Sequence, residues 1–395
     1  MIKCIDELNI ESRRVFIRVD FNVPIEGDKV TDNTRIRAAL PTIRHAVKMK
    51  CKVILASHLG RPKGKPDRKY TLEPVGAELA SLLDTEVILT DDCIGEGARK
   101  VVADLYSGRI ALLENLRFHA EEEADDEKFA RELAALADVY VNDAFGTAHR
   151  AHASVHAITR FVEEKGAGLL MKKEIDSLSR LLGDVKRPFV AVVGGAKISD
   201  KIKVLSHILK KVDVLLIGGA MAHTLLGARG VAVGRSLNEP QSYAVAKRLM
   251  EEAARAGVKL LTPVDLVVAA SADDPNFEIV SVDKVPPDKM ALDIGPGTVK
   301  AFRAALGGAA TIFWNGPMGL FEKPPYDKGT LEVARAVSET VAFTVVGGGD
   351  SVAAVTRMGL EKKFSHVSTG GGASLEMLEG LTLPGIEALE TAAGE

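Results

Sequence analysis

From one end of this chain to the other, a short β-branched or aliphatic run leads into a turn rich in Gly, Asn or Asp and then into a stretch with helical spacing. That alternation is the signature of βα units on a parallel sheet. In the first half the runs are Val15 to Val19, Val53 to Leu55, Val87 to Leu89, Ile110 to Leu113 and Val139 to Val141, with helical stretches such as Thr34 to Met49 and Thr71 to Leu83. In the second half they are Val190 to Val193, Val214 to Ile217, Lys259 to Leu261, Thr311 to Phe313, Phe343 to Val346 and Val367 to Thr369. At 395 residues the chain exceeds what one hydrophobic core usually serves, so two α/β domains are expected. Between the two sets, Leu169, Leu170, Ile175, Leu178, Leu181 and Leu182 keep helical spacing, with Gly183 and Pro188 beyond, which predicts a connecting helix.

A formal net charge of −3 argues against a protein built to hold nucleic acid, and 5% aromatics disfavour base-stacking platforms. Cys4, Cys51 and Cys93 are scattered and lack C-x-x-C spacing, as in a reduced intracellular protein. Charge interrupts the N-terminal segment too early for a signal peptide, and no apolar run approaches a bilayer span. The expectation is a cytoplasmic chain without a membrane partner.

In open parallel sheets ligands bind just outside the strands' carboxyl ends, so the residues after each run carry the functional information. After the first run come Arg18, Asp20 and Asn22, alternate positions that share one side of an extended segment. The second leads into Ser57-His58-Leu59-Gly60-Arg61, the fourth into Glu114-Asn115-Leu116-Arg117 and the fifth into Asn142 to His152, including His149 and Arg150. One topological rule therefore gathers Arg18, Arg61, Arg117 and Arg150 at one sheet edge, where Arg35 can join them. Any one of them alone is an ordinary surface ion pair. Together they repel unless an anion completes them, and arginine's planar fork suits phosphate or carboxylate. His58, His149 and His152 lack a convincing set of metal-binding partners, so hydrogen bonding to substrate or loop backbone is expected of them. The acidic run Glu121 to Glu127 reads as the solvated first turn of a helix continuing through Phe129.

In the second half glycine replaces arginine in the turns: Gly194-Gly195 before Lys197 and Lys201, Gly218-Gly219, Asn315-Gly316 with Glu322 beyond, and Gly347-Gly348-Gly349-Asp350-Ser351. Glycine lets backbone approach a ligand closely, and the helix N-termini that follow favour phosphate. Neither G-x-x-x-x-G-K-[ST] nor G-x-G-x-x-G occurs. Lys197 and Lys201, four apart where a helix should begin, are expected to project from one face toward phosphates. Asp350 is a candidate Mg²⁺ ligand or, equally, a helix N-cap.

Arg18 to Pro24, Ser57 to Pro62, Glu114 to Phe118, Ala148 to His152, Gly194 to Lys201, Trp314 to Gly319, Gly347 to Ser351 and Ser368 to Gly372 resemble the motifs of the phosphoglycerate kinases, in that family's order and over nearly the whole chain. The resemblance implies a hinge-bending monomer of two Rossmann-like domains, each a parallel sheet flanked by helices. It implies phosphoglycerate bound by residues 1–167, a connecting helix at 168–183, Mg-ATP or Mg-ADP bound by 184–372, and 373–395 packed back on the first domain. It assigns Asp20, Asn22, Arg35, His58, Arg61, Arg117 and Arg150 to 3-phosphoglycerate or 1,3-bisphosphoglycerate, with Arg18 close by. Lys197, Lys201, Asn315, Glu322 and Gly348 to Ser351 fall to the nucleotide, Glu322 to its ribose and Asp350 to Mg²⁺. His223 and Ala291 depart from the family's usual residues near the base pocket.

Phosphoryl transfer between ADP and a carboxylate needs no general base, because the carboxylate is already ionised. It needs positive charge and in-line alignment, for which Arg35 and Lys197 are the candidates. A nicotinamide-dependent dehydrogenase would share the architecture but should carry the missing glycine fingerprint. A non-catalytic sugar-phosphate-binding regulator would have no need of Lys197, Lys201 and Asp350.

Overall fold

The computed structural model describes residues 2–390. These form two compact units: one runs to Asp176 and resumes at Thr382, and the other is Ser177–Leu381. In the first unit β1 (Arg14–Arg18), β2 (Lys52–Ala56), β3 (Val87–Leu89), β4 (Ile110–Leu112), β5 (Val139–Asn142) and β6 (Glu164–Ala167) make a parallel sheet in the order β3-β4-β2-β1-β5-β6. Val15, Phe16 and Ile17 are fully buried, because helices cover both faces of such a sheet and a strand then reads as a continuous apolar run. On one face Val15, Ile17, Val53 and Leu55 pack with Ile36, Leu40 and Ile43 of helix Thr34–Lys48.

The chain leaves β1 toward β2 on one side and returns with β5 on the other, so connections diverge between β1 and β5. A crevice at such a reversal is the expected ligand position. Register sets Arg18 level with Ala56 and with Asn142 there.

The second unit repeats the plan. Here β7 (Phe189–Val193), β8 (Val214–Ile217), β9 (Lys259–Leu261), β10 (Thr311–Asn315), β11 (Phe343–Gly347) and β12 (His366–Val367) are ordered β9-β8-β7-β10-β11-β12. The reversal lies between β7 and β10, with Val193 opposite Asn315. Trp314 is wholly buried beside Val192 and Val346, its indole N–H donating to Gly316 O at 2.9 Å.

Several elements differ from the sequence reading. A three-stranded antiparallel sheet, with Asp265–Ala269 between Glu278–Ser281 and Met290–Ile294, occupies residues to which no strand is assigned from the sequence. Pro263 and Asp265 disguised it: Asp265 accepts from Gly297 N and Thr298 N at 2.8 and 2.7 Å, capping the next helix from a strand. β6 escaped notice because Glu164-Lys165-Gly166-Ala167 has no apolar pattern. Its Gly166 lies so close to Lys3 O that a Cβ would stand 2.5 Å away. The acidic run is two helices, Ala120–Glu123 and Glu127–Ala134, broken at Asp125 with φ 54°. Helix Gly372–Leu378 packs on Ile202–Ile208 within the second unit, so residues 373–381 group there and only 382 onward groups with the first. Residues 391–395, in the segment expected to pack back, lie outside the described residues.

The connecting helix is Leu169–Leu182. Asp143 caps its start, Oδ1 accepting from Leu170 N and Met171 N at 2.9 and 3.0 Å. No helix among the described residues is long and apolar enough to cross a membrane.

Candidate active site

At the β1/β5 crevice the cations sort into buried supports and open ones. Arg18 is fully buried: Nε donates to Ser154 Oγ at 2.8 Å, Nη1 to Val19 O and Nη2 to His58 Nδ1 at 3.3 Å. It does not share an open face with Asp20 and Asn22, because β1 ends at Arg18 and its side chain is held inward by Ser154 and His58. Arg18 is thus turned inward, away from the open face expected of it.

His58 Nδ1 accepts from a guanidinium, so the ring's proton sits on Nε2. Burial, then Arg18, Arg117 and Arg35, hold its pKa well below the usual range, and the ring is neutral. His152 is likewise pushed down to about 3 by burial, Arg18, Arg117 and Arg150. These two rings register the convergence: guanidinium groups from separate loops act on the same small volume. That field is the structural counterpart of an anion site.

Asp20 holds Arg35, whose Nη1 lies 3.2 Å from both carboxylate oxygens and 3.1 Å from Asn22 O. Asn22 Oδ1 accepts from Gly60 N at 2.9 Å, tying the loop after β1 to the loop after β2. Buried Asn115 joins the loops after β2 and β4: its side chain accepts from Leu59 N and Arg117 N and donates to Leu59 O and Tyr70 O. Arg117 Nη1 donates to Gly60 O at 2.8 Å. Its buried Nε is 3.2 Å from Glu123 Oε1 but lacks the alignment of a hydrogen bond. Arg150 is exposed, and among the described residues its side chain hydrogen-bonds the neighbouring His149 ring, with Nε 3.2 Å from Nε2. Arg61 is exposed, with no hydrogen-bond or ion-pair partner among the described residues.

Glu122 is the residue the sequence reading missed. Expected in a solvated turn, it is fully buried, accepting from Ser154 N and Oγ at 2.9 and 2.6 Å and lying 3.9 Å from Arg18 Nη2. Its charge run concealed it, although Glu122 sits among exposed Glu121 and Glu123. A cavity of about 760 Å³ also opens in this unit, bordered by Asn22, Gly60 and Tyr70 but by none of the site arginines. The arginine surface, with its convergent charge, is the better candidate for the chemistry.

In the second unit the turn after β7 is locked to the end of β10. Gly194 N donates to Asn315 O at 2.9 Å, and a Cβ on Gly194 would stand 2.0 Å from Pro317 O, so only glycine fits. Lys201 Nζ donates to Gly194 O at 2.8 Å and to Asn315 Oδ1 at 2.6 Å. Burial lowers its pKa to about 8. The expected pairing of Lys197 and Lys201 on one helix face does not occur, because the helix begins only at Ile202. Lys197 is exposed on the preceding turn while Lys201 points inward.

Ser351 is also turned inward, accepting from Gly316 N at 2.6 Å. Asn315 Nδ2 is buried with no partner and stands where a Cβ on Gly348 would be 2.9 Å from it. Gly348 has φ +86° and precedes helix Gly349–Arg357, whose first turn carries the exposed Asp350. Gly218 similarly precedes helix Gly219–Ala228. A cavity of about 240 Å³ brings together Gly195, Gly219, Glu322 and Asp350 with apolar Leu237 and Met318. Both departures, His223 and Ala291, line it, and His223 Nδ1 meets Leu237 O at 3.0 Å.

The family model for phosphoglycerate kinase matches residues 5–381. The chain is 58% identical over 393 residues to the phosphoglycerate kinase of Anaeromyxobacter dehalogenans, covering 98% of this chain and 99% of that one. It is 55% identical over 385 residues to that of Moorella thermoacetica, covering 97% and 98%. The structure of phosphoglycerate kinase from Coxiella burnetii superposes with a TM-score of 0.89 at 39% identity, covering 98% of this chain and 99% of that one. That from Pyrococcus horikoshii does so with 0.84 at 34%, covering 98% of each. With two doubly wound sheets, cations gathered at one reversal and glycine turns at the other, the chain belongs to the phosphoglycerate kinase family.

Proposed function

We propose that this chain is a phosphoglycerate kinase: a phosphotransferase that moves a phosphoryl group reversibly between 1,3-bisphosphoglycerate and ADP, giving 3-phosphoglycerate and ATP in glycolysis and gluconeogenesis. The observation that carries the site assignment is that Arg18, Arg35, Arg117 and Arg150, from separate loops, converge on the buried rings of His58 and His152, while the exposed Arg61 and Arg150 have no carboxylate partner among the described residues. A coupled assay for ATP formation from ADP and 1,3-bisphosphoglycerate tests it, and no turnover by folded protein would overturn it. Neither rival reading has support among the relatives, which are kinases by name.

In this reading Arg61, Arg117 and Arg150 bind the phosphate end of the glycerate, with His149 beside Arg150. His58 donates its Nε2 proton without adding charge. Asp20 accepts from the substrate hydroxyl while orienting Arg35, and Asn22 stands beside it. Arg35 reaches the transferring group with the nitrogens that Asp20 leaves open. On the nucleotide side Lys197 meets the phosphates, joined by the N–H groups at Gly195, Gly219, Gly348 and Gly349, and Glu322 takes the ribose. The buried, unpartnered Asn315 Nδ2 is a donor that an acceptor from the ligand would satisfy. Asp350 fits a Mg²⁺ carried by the nucleotide, being an exposed carboxylate with no hydrogen-bond partner among the described residues beside the cavity. Bound there with the phosphates, the ion would supply positive charge to the transferring group.

Lys201 yields a pH prediction. Without ligand its ammonium loses its proton near pH 8, and a nearby phosphate raises that pKa. Nucleotide binding should therefore take up protons at and somewhat above pH 8 and take up far fewer near pH 6.5. Calorimetry in buffers of different ionisation enthalpy reads this directly, and equal uptake at both pH values would remove Lys201 from the site. We further read the enzyme as a cytoplasmic, hinge-bending monomer. Transfer requires its two substrates to meet in the absence of water. Small-angle scattering should show compaction when both are bound, and an active enzyme that never compacts would count against this.

A further inference from the structure

At the outer end of the first sheet, Asp92, Cys93 and His119 bring one oxygen, one sulfur and one nitrogen within 4.8 Å of one another. Asp92 and Cys93 stand in the turn after β3, and His119 precedes helix Ala120–Glu123, after the loop that carries Arg117. Because β3 and β4 are neighbours, the sheet sets these two segments side by side. The proposed reaction uses none of the three residues.

The protein already holds them in place. Asp92 Oδ1 accepts from Cys93 N at 2.6 Å and meets His119 Nε2 at 2.7 Å. The imidazole packs on Phe129, with centroids 5.2 Å apart. Cys93 is fully buried, while His119 and Asp92 are partly exposed, so the cluster has one closed side and one open side. A cavity of about 400 Å³ lies on the open side, bordered by Asp92, His119, Asp91, Asp67 and Glu114. It provides an entry path, negative charge and room for water.

We propose that Asp92, Cys93 and His119 form a site for a borderline-soft divalent cation of the zinc type, with water from the cavity as fourth ligand. Bonds of roughly 2.0–2.3 Å in tetrahedral geometry set the donors about 3.3–3.8 Å apart. The Asp92–His119 contact must open slightly and the thiol draw in, movements within reach of side-chain rotation. Sulfur and imidazole donors disfavour magnesium, which takes oxygen ligands, so the site is separate in kind from that of a nucleotide's metal. On binding, the thiol releases its proton to solvent. The proton that His119 Nε2 shares with Asp92 leaves as well, to solvent from a charged ring or to Nδ1 in a neutral one, so the Nε2 lone pair turns to the ion and the ion takes the place of that hydrogen. It would tie the Arg117 loop to the turn after β3.

The test is a Co²⁺ titration of the chelator-treated full-length chain, followed by thiolate-to-cobalt charge-transfer absorption in the near ultraviolet. The band should saturate at a single ion per chain, disappear on adding Zn²⁺ and persist in excess Mg²⁺. Cys93→Ser should abolish it, while Cys51→Ser, at a buried thiol elsewhere, should leave it. His119→Gln, at a half-buried ring, should weaken Co²⁺ binding more than about tenfold, since even outer partners of a metal act on that scale. Absence of the band in the wild-type chain overturns the proposal without recourse to any variant. So does a band that survives in folded Cys93→Ser protein.

Discussion

Arg35→Ala and Lys197→Ala are each expected to lower kcat at least about a hundredfold, the scale on which one lost transition-state donor acts. Among the described residues Arg35 is gripped by one of its terminal nitrogens, Nη1 on Asp20 and Asn22 O, which orients the fork and leaves Nη2 and Nε without a partner there. Lys197 is exposed on a turn, and among the described residues its side chain has no hydrogen-bond partner to hold it back. In the proposed reaction both would supply charge to a group whose negative charge is spread over three oxygens in flight. Arg35→Lys separates charge from geometry. It keeps the cation but loses the planar fork, so most of the loss should remain. Melting temperature should move little in all three variants, because none of these side chains is buried. Near-wild-type turnover in either alanine variant would remove that residue from its role.

Glu122→Gln should destabilise the first unit by about 3–5 kcal/mol, the usual cost of removing one member of a buried ion pair. Burial pushes the Glu122 carboxyl above its ordinary range, against the pull of Arg18 and of two bonds from Ser154. Arg18 has nowhere else to turn: both side chains are wholly inaccessible, and its other partners are neutral. Gln keeps the shape and loses the charge, leaving a guanidinium buried without a counterion. Arg18→Leu with Glu122→Leu should cost less than the sum of the single changes, because neither charge is then left alone. Denaturant melts of the four proteins form the cycle. A single-variant cost below about 1 kcal/mol would place Glu122 with ordinary surface pairs. The same variant should disturb phosphoglycerate affinity, because Arg18 sets the tautomer of His58.

Much of this arrangement could be read from residue order alone. Runs such as Val139 to Val141 mark strands because burial on both faces removes polar residues from them, and ligand loops then follow from topology. Direction of side chains could not be read in that way. Arg18, Lys201 and Ser351 belong to the right loops but turn inward, and nothing local separates them from Arg61, Lys197 and Asp350, which turn outward. The difference lies in partners distant along the chain: Ser154 and Glu122 for Arg18, Asn315 for Lys201 and Gly316 for Ser351. Glu122 was hidden for the complementary reason. A run of like charges suggests solvent, and only Arg18 on a remote strand reveals that one of them is needed inside. The antiparallel sheet was missed because Asp265 serves as strand residue and helix cap at once.

The return of the chain at Thr382 bears on how the protein is made. Gly385 N donates to Ala148 O at 2.8 Å, and a Cβ on Gly385 would stand 2.5 Å from Val155 Cγ1. The last described residues are thus wedged under the loop that carries His149 and Arg150. On the ribosome, the segment up to Asp176 emerges long before that wedge exists, and the whole of Ser177–Leu381 is synthesised in between. The Arg150 loop can reach its final footing only once Gly385 has left the ribosome. A nascent chain stalled short of Thr382 should therefore leave this loop open to protease while the strands beneath it are already protected.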